Sequence, residues 1–292
     1  MNTNLDITSF EENGFFVLKN VLPIEAISEF QNILTTQFQK LCDKYSLTLN
    51  KGICAYNAIL TSYPEEVSNI QRIICRTPEY FKLISGKKLS DAFKFYLSLN
   101  ENDSIYYISN GIIFSSKFEK LRQRSANMLL DWHNDVYFTI PKSPFIQMWA
   151  PLLEDATEEN GALIVARGSH KKNILKQAVN VEKPYIHRYT INPEQISEFK
   201  KESIPVALGD VLIFDGRLVH ASGYNNSDNL RCTMIGVIHN PEHKEFKPTL
   251  IDYKYSGMTP EEYFYENNNS KEEILSLLKE QAYEFAEPPG GV

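Results

Sequence analysis

The sequence predicts an α+β protein with a mainly β core, a sandwich or barrel flanked by helices at both ends. Three observations carry this prediction. Before about residue 100, apolar side chains recur at helical spacing; from about residue 104 to 240, short apolar runs alternate with turn residues; near residue 259 a helix-capping pattern returns. No repeat or low-complexity linker interrupts the 292 residues. One domain, 1–292, is therefore expected, with a helical part at about 20–100, a β core at about 104–240 and a helical extension at about 259–286.

In chain order, Gly14-Phe15-Phe16-Val17-Leu18 reads as a short strand. Pro23 suits the first turn of a helix, where its missing N–H has no partner to lose. Ile27, Phe30, Leu34, Phe38 and Leu41 follow as one apolar helical stripe. A second helical region is expected between Pro64 and Leu83. Ile105-Tyr106-Tyr107-Ile108 and Ile112-Ile113-Phe114 read as two strands punctuated by Asn110-Gly111. Further strand-like runs are expected at 128–138, 145–152, 162–166, 204–207, 211–215 and 231–238. Turn pairs separate them, among them Asn160-Gly161, Gly168-Ser169, Gly209-Asp210 and Asp215-Gly216. Thr259-Pro260-Glu261-Glu262 is a capping-box pattern, repeated by Ser270 with Glu273 before Ile274, Leu277 and Leu278.

Composition removes several function classes. A net charge of −7 argues against a nucleic-acid partner, which needs a cationic surface. No apolar run approaches the roughly 18 residues of a membrane span. Cys42, Cys54, Cys75 and Cys232 lack a C-x-x-C spacing and read as reduced thiols rather than a zinc knot or disulfide framework. The opening M-N-T-N-L-D-I-T-S-F-E-E-N is acidic and has no apolar signal region, so a cytoplasmic location is expected. The oligomeric state is not legible.

The chemistry concentrates in D-W-H-N-D-V-Y-F, residues 131–138. On a strand His133 and Asp135 would project from the same face, giving two corners of a metal site. His220, in R-L-V-H-A-S-G-Y-N-N-S-D-N-L-R, is the candidate third ligand. Two imidazoles and a carboxylate form the facial triad of non-haem Fe(II) oxygenases, with three positions left open. Catalytic zinc sites use the same donors, so the triad alone does not fix the metal.

The surrounding blocks carry a resemblance. The order W-H-N-D, then W-A-P-L-L-E-D-A-T-E-E-N-G-A-L-I-V-A-R-G-S-H, then G-D-V-L-I-F-D-G-R-L-V-H-A-S-G-Y-N-N-S-D-N-L-R resembles the phytanoyl-CoA dioxygenase family, a group that includes ectoine hydroxylase. The match runs from about 131 to 238, with a looser echo in E-N-G-F-F-V-L-K-N-V-L. The resemblance implies a double-stranded β-helix (jelly roll, cupin-like), Fe(II), and 2-oxoglutarate and O2 as co-substrates. It places His133, Asp135 and His220 at the iron-ligand positions. Arg231, eleven residues after His220, falls where the family places the arginine that binds the far carboxylate of 2-oxoglutarate. A guanidinium suits that task because its planar fork pairs bidentately with a carboxylate. Strand alternation puts Arg231 on one face with Thr233 and Ile235, away from Cys232 and Met234. Ser222 and Trp149 match positions beside the co-substrate. Gln147 shares the face of Trp149, and Met128 leads toward His133; both are expected to line the same pocket. Asp135 itself favours oxygen transfer over halogenation, since related halogenases replace that carboxylate with a small residue. Two departures from the family pattern, Asn134 for a common Gln and Arg167 for a common Pro, leave the ligand set intact.

The expected function is hydroxylation of a small-molecule metabolite or biosynthetic intermediate, with release of succinate and CO2. The competing readings are a cupin-like metal-dependent hydrolase or isomerase and a non-catalytic binding module on the same fold. The remaining polar motifs are expected to be structural. His170 reads as a loop hydrogen-bonding residue, Asp210 as a turn former, and His239 and His243 as surface. Lys117, Lys120, Arg122 and Arg124 read as a solvated face that could meet an anionic substrate.

Overall fold

Asp6 begins the described chain by accepting the Ser9 N–H at 2.9 Å, which caps helix α1 (Ile7–Asn13). Gly14 ends that helix in the left-handed region, at φ 83°, and turns the chain into strand β1 (Phe15–Leu18). The computed structural model describes residues 6–47, 59, 62–115, 130–135, 143–172, 178–179, 189–244 and 246. Pro23 is the N-cap of the long helix α2 (Ile24–Tyr45), one position earlier than expected. The predicted stripe is the face α2 buries: Ile27, Phe30, Leu34 and Phe38 are in the core, with Leu41 packed at its edge.

The second helical region divides into α3 (Pro64–Ile74) and α4 (Pro78–Ile84), and a further helix, α5 (Lys87–Tyr96), follows. Proline opens both α3 and α4, and the Thr77 hydroxyl caps α4 by accepting the Tyr80 N–H at 3.3 Å.

Among the described residues, the β core holds a larger and a smaller antiparallel sheet and a separate two-stranded pair. In chain order its strands are β2 (Tyr106–Ser115), β3 (Phe145–Pro151), β4 (Ile164–Ala166), β5 (Ala178–Val179), β6 (Tyr189–Thr190), β7 (Lys201–Ser203), β8 (Val211–Asp215), β9 (His220–Ala221) and β10 (Arg231–His239). The larger sheet runs β1-β8-β3-β10-β2 and the smaller β7-β4-β9, while β5 and β6 form a separate short pair. Alternation along the strands gives the large sheet two apolar faces. Ile146, Met148, Ala150, Val211, Ile213, Cys232 and Met234 point outward into one core with α2 to α5. Phe15, Trp149, Leu212 and Phe214 point inward, against Leu163 and Val165 of the small-sheet layer. This is the mainly β, jelly-roll core expected above, with the described helices packed on its outer face, and its inner layer is where a site can be enclosed.

Several expectations need correction. Asn110-Gly111 does not break the chain, because residues 106–115 form one continuous strand against β10, with a register shift between Val237 and Ile238. Run 204–207 is no strand; Val206 makes an isolated bridge to Ala156, and the strand lies earlier, at β7. Within 128–138, the described part is an isolated bridge at His133 rather than a strand. His239 is not on the surface. It is fully buried, stacked on Phe145 with centroids 4.9 Å apart, and its Nδ1 lies 2.7 Å from Ser143 Oγ. The helical extension expected at 259–286 and the basic residues 117–124 lie outside the described residues. Cys42, Cys75 and Cys232 are free and buried. Among the described residues no helix is long and apolar enough to cross a membrane.

Candidate metal centre

His133 and His220 face each other as an antiparallel bridge. The His133 N–H donates to the His220 carbonyl at 2.9 Å, and the His220 N–H returns the bond at 2.8 Å. This brings the imidazoles side by side, with centroids 4.2 Å apart. Each ring is oriented by the same device. Nδ1 of His133 lies 2.6 Å from the Asp131 carbonyl, and Nδ1 of His220 lies 2.9 Å from the Leu218 carbonyl. A carbonyl only accepts, so Nδ1 carries a proton, and in the neutral ring Nε2 then holds the lone pair. Burial, reinforced by the neighbouring His220, pushes the His133 imidazole down to about 4 and keeps it neutral at ordinary pH.

Those lone pairs meet Asp135. Its Oδ1 is 3.6 Å from His133 Nε2 and its Oδ2 is 3.5 Å from His220 Nε2. The separations exceed ordinary hydrogen bonds. The ligand atoms of all three residues lie within 4.8 Å of one another. Among the described residues, this is the only group of three histidine, cysteine or acidic side chains so placed. Asp135 reaches the site from a turn rather than from a strand shared with His133. Its N–H donates to the Gly216 carbonyl at 3.2 Å, just past the end of β8. A Cβ at Gly216 would lie 2.0 Å from the Phe145 ring, so only glycine lets β8 end against that ring. Gln147 Nε2 donates to Asp135 Oδ2. The sequence placed Gln147 on this face but not this contact; its alternation with Trp149 was the available signal.

Arg231 opens β10 opposite Ser115 and is buried. Its guanidinium carbon sits 5.8 Å from the centre of the Trp149 ring, on the inner face of the large sheet. Gly161 clears space there. A Cβ on Gly161, whose φ is +90°, would lie 2.7 Å from Arg231 Nη1 and 2.7 Å from the Gly223 carbonyl. Ser222, expected beside the co-substrate, ties the ligand-bearing segments together. Its Oγ accepts the Leu130 N–H at 3.1 Å, and its own N–H donates to the Leu130 carbonyl at 2.9 Å. Met128 lies outside the described residues. Asn225, which drew no notice in the sequence, is buried and donates to the carbonyls of Ser115 at 3.0 Å and Asn229 at 2.8 Å. It fixes the loop that returns from β9 to Arg231. His170 is the structural residue expected, its Nε2 3.1 Å from the Glu11 carbonyl. Asp210 binds the Asn20 N–H at 2.9 Å and Lys19 Nζ at 2.7 Å, joining β8 to the end of β1.

The family model described as phytanoyl-CoA dioxygenase matches residues 112–233, a span that holds His133, Asp135, His220 and Arg231. Human "Phytanoyl-CoA dioxygenase, peroxisomal" is 24% identical over 227 residues, which cover 76% of this chain and 64% of that protein. The chain thus spans slightly less than two thirds of this relative's length. Among solved structures, EctD from S. alaskensis with bound Fe has a TM-score of 0.52 at 17% identity, covering 82% of this chain and 77% of that one. The same protein with 2-oxoglutarate and 5-hydroxyectoine scores 0.50 at 17% identity, covering 87% and 80%. EvdO2 from Micromonospora carbonacea var. aurantiaca, complexed with 2-oxoglutarate, scores 0.52 at 17% identity, covering 86% and 95%. At such identities the solved structures speak for the fold, while the family model and the human protein speak for the sequence blocks. Over residues 112–233 the chain is similar to the phytanoyl-CoA dioxygenase family, and that span holds the His-Asp-His cluster.

Proposed function

We propose that this protein is a non-haem Fe(II)/2-oxoglutarate-dependent oxygenase that hydroxylates a small molecule. The observation that carries the reading is the convergence of His133, Asp135 and His220, with both Nδ1 atoms engaged by carbonyls and both Nε2 atoms turned toward one carboxylate. The donor set fits ferrous iron: two imidazoles and one carboxylate are the ligands of that ion class, and the thiol of Cys232 faces the opposite side of the sheet. In this reading His133, Asp135 and His220 hold the metal. When bound, iron and 2-oxoglutarate together supply the chemistry: the co-substrate is oxidised to succinate and CO2 while O2 gives one oxygen atom to a C–H bond of the substrate. The chain does the rest. Arg231 pairs with the remote carboxylate of 2-oxoglutarate through its planar fork. Trp149 walls the co-substrate, and the apolar inner layer keeps water from the reacting centre.

Arg231 is also what favours an oxygenase over a zinc hydrolase with the same triad, because a hydrolase has no use for a buried guanidinium at that spacing from His220. The substrate is read as a small polar metabolite or biosynthetic intermediate in a reducing, cytoplasmic setting, supported by the free buried cysteines. The chain is read as one oxygenase domain, supported by the core that α2 to α5 share with the large sheet.

The test is Fe(II)-dependent release of succinate from 2-oxoglutarate, screened against small-molecule substrates, with mass spectrometry for a gain of one oxygen. The release should disappear in His133→Ala. Succinate formation that is independent of added iron, or intact in that variant, contradicts the proposal.

A further inference from the structure

Gln147 sits in the middle of the large sheet. It lies opposite Phe214 on β8 and Val237 on β10, and it is buried. Asp135, by contrast, leaves a turn and is anchored through its own N–H at the end of β8. The amide of Gln147 therefore meets the carboxylate from the sheet side. Its orientation follows from chemistry: a carboxylate only accepts, so Nε2 faces Asp135 and Oε1 turns away. A glutamine donor also directs a carboxylate without adding positive charge to a place that must attract a dication. Lysine or arginine here would compete with the metal for the same anion.

We propose that Gln147 is a positioning residue that holds Asp135 as a one-oxygen metal ligand. The inference rests on the reading that His133, Asp135 and His220 hold Fe(II). A carboxylate beside a divalent cation can bind through one oxygen or through both. Binding through both would consume a position the oxygenase reading requires, since three open sites serve the two donors of a 2-oxo acid and O2. Gln147 donates to Oδ2, and a donor on one oxygen biases the metal toward the other. Partners behind a metal ligand set both its orientation and its basicity. The role differs from the one the sequence suggested, a lining residue of the co-substrate pocket, because the amide meets the metal ligand itself.

The experiment uses Co(II) as an anaerobic probe of the metal-free full-length protein. Titration followed by d–d absorption gives metal affinity. The infrared difference between metal-bound and metal-free protein, assigned by its loss in Asp135→Ala, gives the carboxylate stretching pair, whose separation is wide for one-oxygen binding and narrow for two. The wild type should show the wide separation. Gln147→Met, which keeps the length and removes the donor, should narrow it and weaken Co(II) binding by about tenfold to a hundredfold. A wild-type spectrum of the two-oxygen kind overturns the proposal whether or not the variant folds. So do unchanged affinity and separation in Gln147→Met. A variant that loses only 2-oxoglutarate affinity would return Gln147 to the co-substrate pocket and overturn it too. If Co(II) binds wild type and Asp135→Ala alike, the failure lies in the triad reading, and the role of Gln147 falls with it.

Discussion

Arg231 is the residue on which the choice of chemistry turns. It is buried at the start of β10, beside Trp149 and in space that Gly161 leaves open. Arg231→Lys keeps a positive charge but loses the fork. A charge-assisted hydrogen bond contributes roughly 1.5–3 kcal/mol, so the KM for 2-oxoglutarate should rise by about tenfold to a hundredfold while iron affinity changes little. Steady-state kinetics at varied 2-oxoglutarate checks this, and an unchanged KM removes Arg231 from the co-substrate site. His239 gives a second test, of stability. Burial pushes its imidazole down to about 3, whereas an imidazole in an unfolded chain titrates near 6.5. The unfolded chain therefore takes up the proton first. Stability is intact above about pH 6.5 and is lost as pH falls from there toward 3. At about pH 5 the loss from this residue is on the order of 1–2 kcal/mol. His239→Phe preserves the stack on Phe145 and cannot titrate, so its Tm should fall less than the wild type's between about pH 7 and about pH 5. Parallel profiles would show that His239 does not carry this part of the acid sensitivity.

Among the elements, α2 and the large sheet show how much was legible in the sequence. The stripe from Ile27 to Phe38 has one period and one buried face, and the helix lies there. The run at 211–215 is bounded by Gly209-Asp210 and Gly216, and β8 occupies it. Arg231 alternates with Cys232 as the period of two requires, with Cys232 in the helix-facing core and Trp149 as the arginine's neighbour on the other side. The failures have physical reasons. Asn110-Gly111 is a turn signal only when no partner strand runs past it, and here β10 pairs straight through. His133 and Asp135 converge without a regular strand between them, because the reciprocal bridge to His220 and the Gly216 carbonyl do the positioning. Neither long-range contact leaves a local trace. Gln147 was legible as a residue of the face of Trp149, but its contact with Asp135 was hidden for the same reason, since that partner lies on another segment. The helical layer can be tested apart from the site. Phe30 is fully buried in α2, with its ring 6.2 Å from that of Tyr80. Phe30→Ala should cost about 3–5 kcal/mol and lower Tm. Iron affinity measured well below the transition should be retained, because the triad is on the other side of the sheet. Loss of iron binding in a still-folded variant would mean that the helical layer shapes the site directly.

For the molecule as a whole, the large sheet divides the work between its two faces. One face joins the helices in a continuous apolar core and stabilises the fold. The other encloses, with the small sheet, a layer in which polar groups are oriented: the buried His133 and His220 by carbonyls, and the part-buried Asp135 by Gln147 and by its own N–H to the Gly216 carbonyl. An oxygenase needs a metal held on one side and open on the other, with a cation placed to grip the co-substrate. Anaerobic titration of 2-oxoglutarate into Fe(II)-loaded protein addresses both requirements at once. Chelation of ferrous iron by the 2-oxo acid should produce a saturable metal-to-ligand absorption band, absent in Asp135→Ala and displaced to higher 2-oxoglutarate concentration in Arg231→Lys. A wild-type protein that binds Fe(II) but develops no band, or one whose band is indifferent to both substitutions, contradicts the assignment of this site to 2-oxoglutarate chemistry.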